Sequence, residues 1–147
     1  HAFNFYPQGH NRMAVLMNRG AAEPFPSSEP MTLASLQTRP LVLPSRSMQF
    51  RRYLDLAAER ARINLNVVLE TDSLFHLVSA VRHQLGWAIV SAGLAHSASQ
   101  LSDLVCHPLE PIEAGSTVFL TRQHSITPAM RAFLDLVAED ATIGRGQ

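Results

Sequence analysis

Lysine is missing from this sequence: all twelve basic residues are arginine, and twelve acidic residues bring the net charge to zero. Zero net charge argues against a surface built for nucleic acid, because phosphate binding relies on an excess of positive charge. The arginine-only composition fits a chain-wide bias better than selection for rigid forks at one site, since it runs through the whole sequence. Cysteine is scarce as well. Cys106 alone cannot form an internal disulfide, which fits a reducing compartment, the cytoplasm. No apolar run reaches the roughly 18 residues that a membrane helix needs. The opening HAFNFYPQGHNR has neither the charged start nor the apolar stretch of a secretory signal. What is present is 147 residues, 46% hydrophobic and 16% charged, enough for a substantial core in one domain of α/β or α+β class.

Periodicity divides the chain into alternating elements. MAVLM at 13–17 reads as a strand, and the proline-rich, aperiodic stretch 20–31 as a surface loop. Thr32 is placed to cap a short helix over LASLQ, and Leu41–Leu43 forms a brief apolar strand. The next helix is expected to start at Ser45 or Ser47, with Phe50, Tyr53, Leu54, Ala57 and Ala61 on its buried face and Arg51 and Arg52 towards solvent. INLNVVLE is the following strand. Thr71, Asp72 and Ser73 supply cap chemistry for a helix carrying Leu74, Leu77, Val78, Val81 and Leu85, which Gly86 closes. WAIV is another buried strand. Strand, helix, strand, helix, strand makes two consecutive crossovers, so these strands should run parallel. GLAHSASQLSD reads as a loop with one helical turn at most, followed by strands near 104–107 and over STVFLTR. Thr127 caps a final helix that begins at Pro128, with Met130, Phe133, Leu134 and Val137 along one face.

Catalytic and metal constellations are weak throughout. His76 and His83 lie seven apart, with no third ligand nearby. Ser91 in AIVSAG lacks the glycine two residues earlier that a nucleophile elbow needs; Ile89 stands there. Cys106 and His107 are adjacent on a strand and so point to opposite faces, which favours a buried packing cysteine over a thiolate–imidazole pair. No catalytic residue, metal or cofactor is therefore assigned. Position is more informative. Ligands of open parallel sheets bind beyond the carboxyl ends of the strands, where helix N-termini present free amides. Ser45–Arg46–Ser47, Thr71–Asp72–Ser73 and Ser91 each follow such a strand. These serines read equally well as helix caps, and the two roles are compatible.

TLASLQTRPLVLPS, then a helix, then VVLETDSLFHLVSAVRHQLGWAIVSAG resembles the effector-binding domain of LysR-type transcriptional regulators. The ending LTRQHSITPAMRAFLDLVAED is similar to that domain's last strand and helix. The likeness covers residues 13–139 and lies in the order of segments; E-x-DS and Leu-Gly-Trp look closest to the nitrogen-assimilation branch. The family's usual G-x-G and strand-ending proline are altered here. Gln84 stands for the first glycine and Ser91 for the proline, while Gly86 matches the second glycine.

The resemblance implies a periplasmic-binding-protein-like (type II) α/β fold with one Rossmann-like subdomain complete and the other partial. Residues 1–17 would be a remnant of the first subdomain with a hinge strand, 18–115 the second subdomain, and 116–147 the return strand and last helix of the first. The chain would then be an N-terminally truncated piece, with DNA binding left to a winged helix-turn-helix domain it lacks. It implies a small anionic effector held between the subdomains by Asn4, Ser45, Arg46, Ser47, Gly86 and Trp87. Serines would donate hydrogen bonds, Arg46 would neutralise a carboxylate, and Trp87 would form an apolar wall. Apolar surface left on the last helix implies a homo-oligomer, and no membrane partner is expected. The alternatives are a fragment of a periplasmic-type solute-binding protein, which shares this architecture, and a small α/β enzyme.

Overall fold

A computed structural model describes residues 3–10, 12–21, 29–101, 103–112, 116–122 and 126–143; for 3–10, 116–119, 121 and 139–143 only the backbone is described. Most of the loop expected over 20–31, and the tail 144–147, lie outside these residues. The chain divides into two compact units, residues 12–114 and residues 1–11 with 115–147.

The second-named unit pairs β1 (Phe3–His10) antiparallel with β7 (Ser116–Arg122), in register from Phe3 opposite Arg122 to Pro7 opposite Val118. Helix α5 (Pro128–Ile143) packs against β1. Thr127 caps α5 as its sequence announces, its hydroxyl accepting the Met130 amide at 3.2 Å. The helix faces are not as expected. Leu134 is buried and Val137 half-buried, whereas Met130, Phe133 and Leu136 are exposed.

The 12–114 unit is a five-stranded sheet in the order β4-β3-β5-β2-β6. Its strands are β2 (Met13–Asn18), β3 (Leu41–Leu43), β4 (Val67–Glu70), β5 (Trp87–Ser91) and β6 (Leu104–Pro108). The two expected crossovers are present: β3 runs parallel to β4 on one side and to β5 on the other. Strand β2 is antiparallel to both β5 and β6. Alternation along the strands separates two core layers. Met13, Val15, Met17, Leu41, Leu43 and Ile89 face Leu36 of α1 (Leu33–Leu36) and Leu54 of α2 (Gln49–Arg60). Ala14, Leu16, Val42, Ala88 and Val90 face Leu77 and Val81 of α3 (Leu74–Arg82) and Ala95 and Ala98 of α4 (Ala92–Ser99). The result is an α/β sandwich with helices on both faces of the sheet.

Five local expectations need correction. Helix α2 starts at Gln49, not near Ser45 or Ser47; Met48 is its N-cap and no side chain caps it. Its buried positions are Arg51, Leu54 and Ala58, so Arg51 points into the core and Ala61 does not. Helix α3 is ended by Gln84 rather than Gly86. Gln84 has φ 60°, its amide reaches the Val81 carbonyl and the Leu85 amide the Ala80 carbonyl, the pattern of a left-handed helix stop. The stretch after Ser91 is a true helix, held by small buried Ala95 and Ala98 that a loop reading overlooks. Finally, Cys106 is exposed, because β6 is an edge strand covered only at its start.

Candidate functional site

The three parallel strands end at one edge of the sheet, and there the N-termini of α2, α3 and α4 gather. The chain leaves β3 towards β4 through α2 on one face of the sheet, and leaves β5 towards β6 through α4 on the other. That makes the space beyond Pro44 and Ser91 a topological switch point, where open α/β sheets accept ligands. Ser73 caps α3 by accepting the His76 amide, and Ser91 caps α4 by accepting the Leu94 amide at 3.4 Å. Only α2, among these three helices, lacks a side-chain cap, so its first-turn amides have no side-chain acceptor among the described residues. Arg46 precedes it with its side chain 78% exposed and its Nε 3.7 Å from Asp55 Oδ2, a loose ion pair. Arg12 belongs to the same edge, since Met13 pairs with Ser91 and the Arg12 carbonyl accepts the Ala92 amide at 2.8 Å. Sequence reasoning missed Arg12, because only the antiparallel pairing of β2 brings it there.

Ser45 and Ser47 do meet, but around a protein group. The Ser45 amide and hydroxyl donate to the two carboxylate oxygens of Asp72, each at 2.8 Å, and Ser45 Oγ lies 2.7 Å from Ser47 Oγ. The backbone bond from Ser45, and then its hydroxyl bond, holds the Asp72 carboxyl below the ordinary carboxylate value. Asp72 therefore does not cap α3, the role its sequence position suggested; it ties the β4 loop to the β3 loop.

Beneath these loops lies Arg51, 2% exposed and the largest fully buried side chain among the described residues. Its Nε donates to Asp55 at 2.8 Å, and one terminal nitrogen donates to the Pro44 carbonyl at 2.9 Å and to Glu70 at 3.1 Å. A single guanidinium thus fixes the ends of β3 and β4 to α2. A lysine would have to reach all three oxygens from one nitrogen, whereas the planar fork spreads them over two.

Gly86 and Trp87 sit elsewhere. Trp87 pairs with Leu41 at the amino end of the parallel strands, which four residues of extended chain put ~13 Å from Ser45. It is buried in the core, with the Arg39 guanidinium 4.8 Å from its ring centroid. Gly86 is required by packing, since a Cβ there would lie 2.8 Å from the Pro40 carbonyl oxygen. One small ligand at the carboxyl edge does not reach both groups. Asn4 belongs to the other unit, opposite Thr121 on β1, and its side chain lies outside the described atoms. A groove of about 380 Å³ beside Tyr53, Arg60 and Ile112 is also separate from this edge.

Helices on both faces of a sheet, with the loops of two strands meeting at a switch point, define an open α/β unit. The chain belongs to the LysR substrate binding domain family, which it matches over residues 1–142. A comparison with curated proteins gave no match. Among solved structures it is similar to the CcmR regulatory domain of Synechocystis PCC6803 in complex with 2-PG, with 14% identity and TM-score 0.64 over 93% of this chain. It is similar to the effector-binding domain of QuiR in complex with shikimate, with 18% identity and TM-score 0.60 over 96% of this chain. Full-length CbnR bound to its target DNA gives 15% identity and TM-score 0.68 over 95% of this chain. The chain spans 66% of the length of the first two proteins and 48% of the third. These likenesses establish the fold. Among the described residues, no helix is long and apolar enough to cross a membrane.

Proposed function

We propose that this chain is the ligand-sensing part of a LysR-type transcription regulator in the cytoplasm. In this reading a small anionic metabolite docks at the carboxyl edge of the five-stranded sheet and modulates DNA binding by a winged helix-turn-helix domain outside the chain. The uncapped start of α2 beside the exposed Arg46 carries the proposal: free amides, a helix dipole and a guanidinium all favour negative charge at that point. The complexes of CcmR with 2-PG and QuiR with shikimate support a small ligand of this kind, and CbnR bound to DNA supports the regulatory role. Arg46 neutralises the ligand's acid group, with the Ser47 amide and the α2 amides completing its shell. The chain acts as a sensor and not as an enzyme. A ligand of this type shifts a regulator's equilibrium only by its difference in affinity for two arrangements.

A thermal-shift screen of metabolites on the 147-residue chain, Arg46→Ala and Arg52→Ala tests the proposal. A hit at 100 times its Kd should stabilise the parent by about 2.7 kcal/mol. Arg46→Ala should weaken that hit by about tenfold, the loss of one charge-assisted pair, while the exposed Arg52→Ala matches the parent. Equal responses from all three proteins would place the ligand elsewhere.

A further inference from the structure

Ser45 is the residue best placed to receive an anion at this edge, and it already holds one. Its amide and hydroxyl take one Asp72 oxygen each at 2.8 Å. A hydroxyl has one hydrogen, so the 2.7 Å bond between the serines must be donated by Ser47. The Ser45 amide and both serine hydroxyls are therefore committed within the protein. The carboxylate is not: each oxygen accepts one bond from Ser45 and keeps a further lone pair, and Asp72 is exposed. Arg46, next along the chain, is the opposite case. Its contact with Asp55 at 3.7 Å is longer than a hydrogen bond, and its fork is open to solvent.

We infer that Asp72 is a specificity-determining residue of this edge: with its carboxylate seated on Ser45, the edge selects ligands that bring an acid group to Arg46 and a hydroxyl or ammonium donor to Asp72. The class is that of hydroxy- and amino-carboxylates. This rests on the reading that a ligand docks at this edge, and it names what that ligand carries. A second anion offered to Ser45 would meet the Asp72 oxygens with no hydrogen between them, and like charges so placed repel. It would also have to displace a tethered partner whose effective concentration is set by the fold and exceeds that of a free metabolite. A donor group instead adds to lone pairs that are already open.

The test uses four probes of equal chain length: butyrate, 3-hydroxybutyrate, 3-aminobutyrate and succinate. Each is titrated into the ¹⁵N-labelled chain while the amides of Ser45, Arg46, Ser47 and Ser91 are followed. The hydroxy and amino acids are expected to bind about tenfold more tightly than butyrate or succinate, as one charge-assisted hydrogen bond allows. Asp72→Asn, which keeps the shape and removes the charge, should reduce that preference to less than about twofold and improve succinate. Ser45→Ala, which leaves the Asp72 charge and its backbone bond in place, should keep the preference and covers the case in which Asp72→Asn folds poorly. Succinate or butyrate matching the donors, a preference surviving Asp72→Asn or lost in Ser45→Ala, or silence from all four probes at tens of millimolar overturns the assignment. Edge amides that move without donor preference sink this inference alone, whereas shifts confined to other regions sink the docking site itself.

Discussion

Arg51 carries a charge into the interior and is compensated there by three oxygens on three segments, the Asp55 carboxylate, the Pro44 carbonyl and the Glu70 carboxylate. Asp55 and Glu70 remain 37% and 44% exposed, so water screens part of the attraction and softens the cost of losing it. Arg51→Met keeps most of the packed volume but orphans the Pro44 carbonyl and leaves two carboxylates facing each other. It should lower stability by about 1–3 kcal/mol, read as a fall in Tm of several degrees. A Tm within a degree of the parent would mean that the buried charge stabilises nothing. The substitution should also loosen the 44–48 loop, which is where it would matter for a ligand. Arg51 shows why its role is hard to read in advance. Arg51, Leu54 and Ala58 have helical spacing, but a count of apolar residues skips arginine and settles on Phe50, Tyr53 and Leu54 instead. The readable clue was Asp55 four residues on, a pair that a helix brings together.

At the level of elements, the turn before β5 separates two jobs for neighbouring positions. Gln84 provides the left-handed backbone that ends α3, and Gly86 provides the close approach of β5 to Pro40. Gln84→Gly should therefore stabilise the chain by about 1 kcal/mol, because a left-handed conformation costs glycine nothing. Gly86→Ala should destabilise it by about 1–3 kcal/mol through a clash with backbone that has little room to give. Chemical denaturation distinguishes the two, and effects of the same sign would refute this division. The glycine at the first G of the family's G-x-G thus has a backbone explanation, and its replacement by Gln84 leaves the turn in place with strain. Elements whose apolar pattern was strong, such as β2, β3, β5 and α3, were readable from sequence, and so was the parallel order. Helix α4 was not, since Ala95 and Ala98 gain their value only from the sheet they rest on. For the candidate site, the strand-end rule pointed to Ser45–Arg46–Ser47 and to Thr71–Asp72–Ser73, whereas Trp87 came by likeness, and nothing local announces that Ser45 holds Asp72, 27 residues away.

For the molecule as a whole, exposed apolar side chains recur on α5, where Met130, Phe133 and Leu136 form a stripe at helical spacing. Such a stripe favours association, in line with the homo-oligomer expected from the sequence. The 147-residue chain should behave as a dimer or larger at micromolar concentration in light scattering, and Met130→Asp with Leu136→Asp should shift it towards monomer at little cost in Tm. A parent that is monodisperse and monomeric would rule out this surface as an interface.

The ladder of β1 and β7 joins residues very far apart in sequence: His10 pairs with Ser116, 106 positions later. Closing so long a loop is entropically costly for an unfolded chain. Within the 12–114 unit, however, the Leu109 amide donates to the Met13 carbonyl at 3.1 Å, so the folded sheet already holds the two ends of that loop together. The path from His10 to Ser116 then shrinks to roughly ten residues, which by the logarithmic dependence on loop length relieves about 2 kcal/mol of closure entropy. The inserted unit is in this sense a clasp: its own folding makes a distant pairing local.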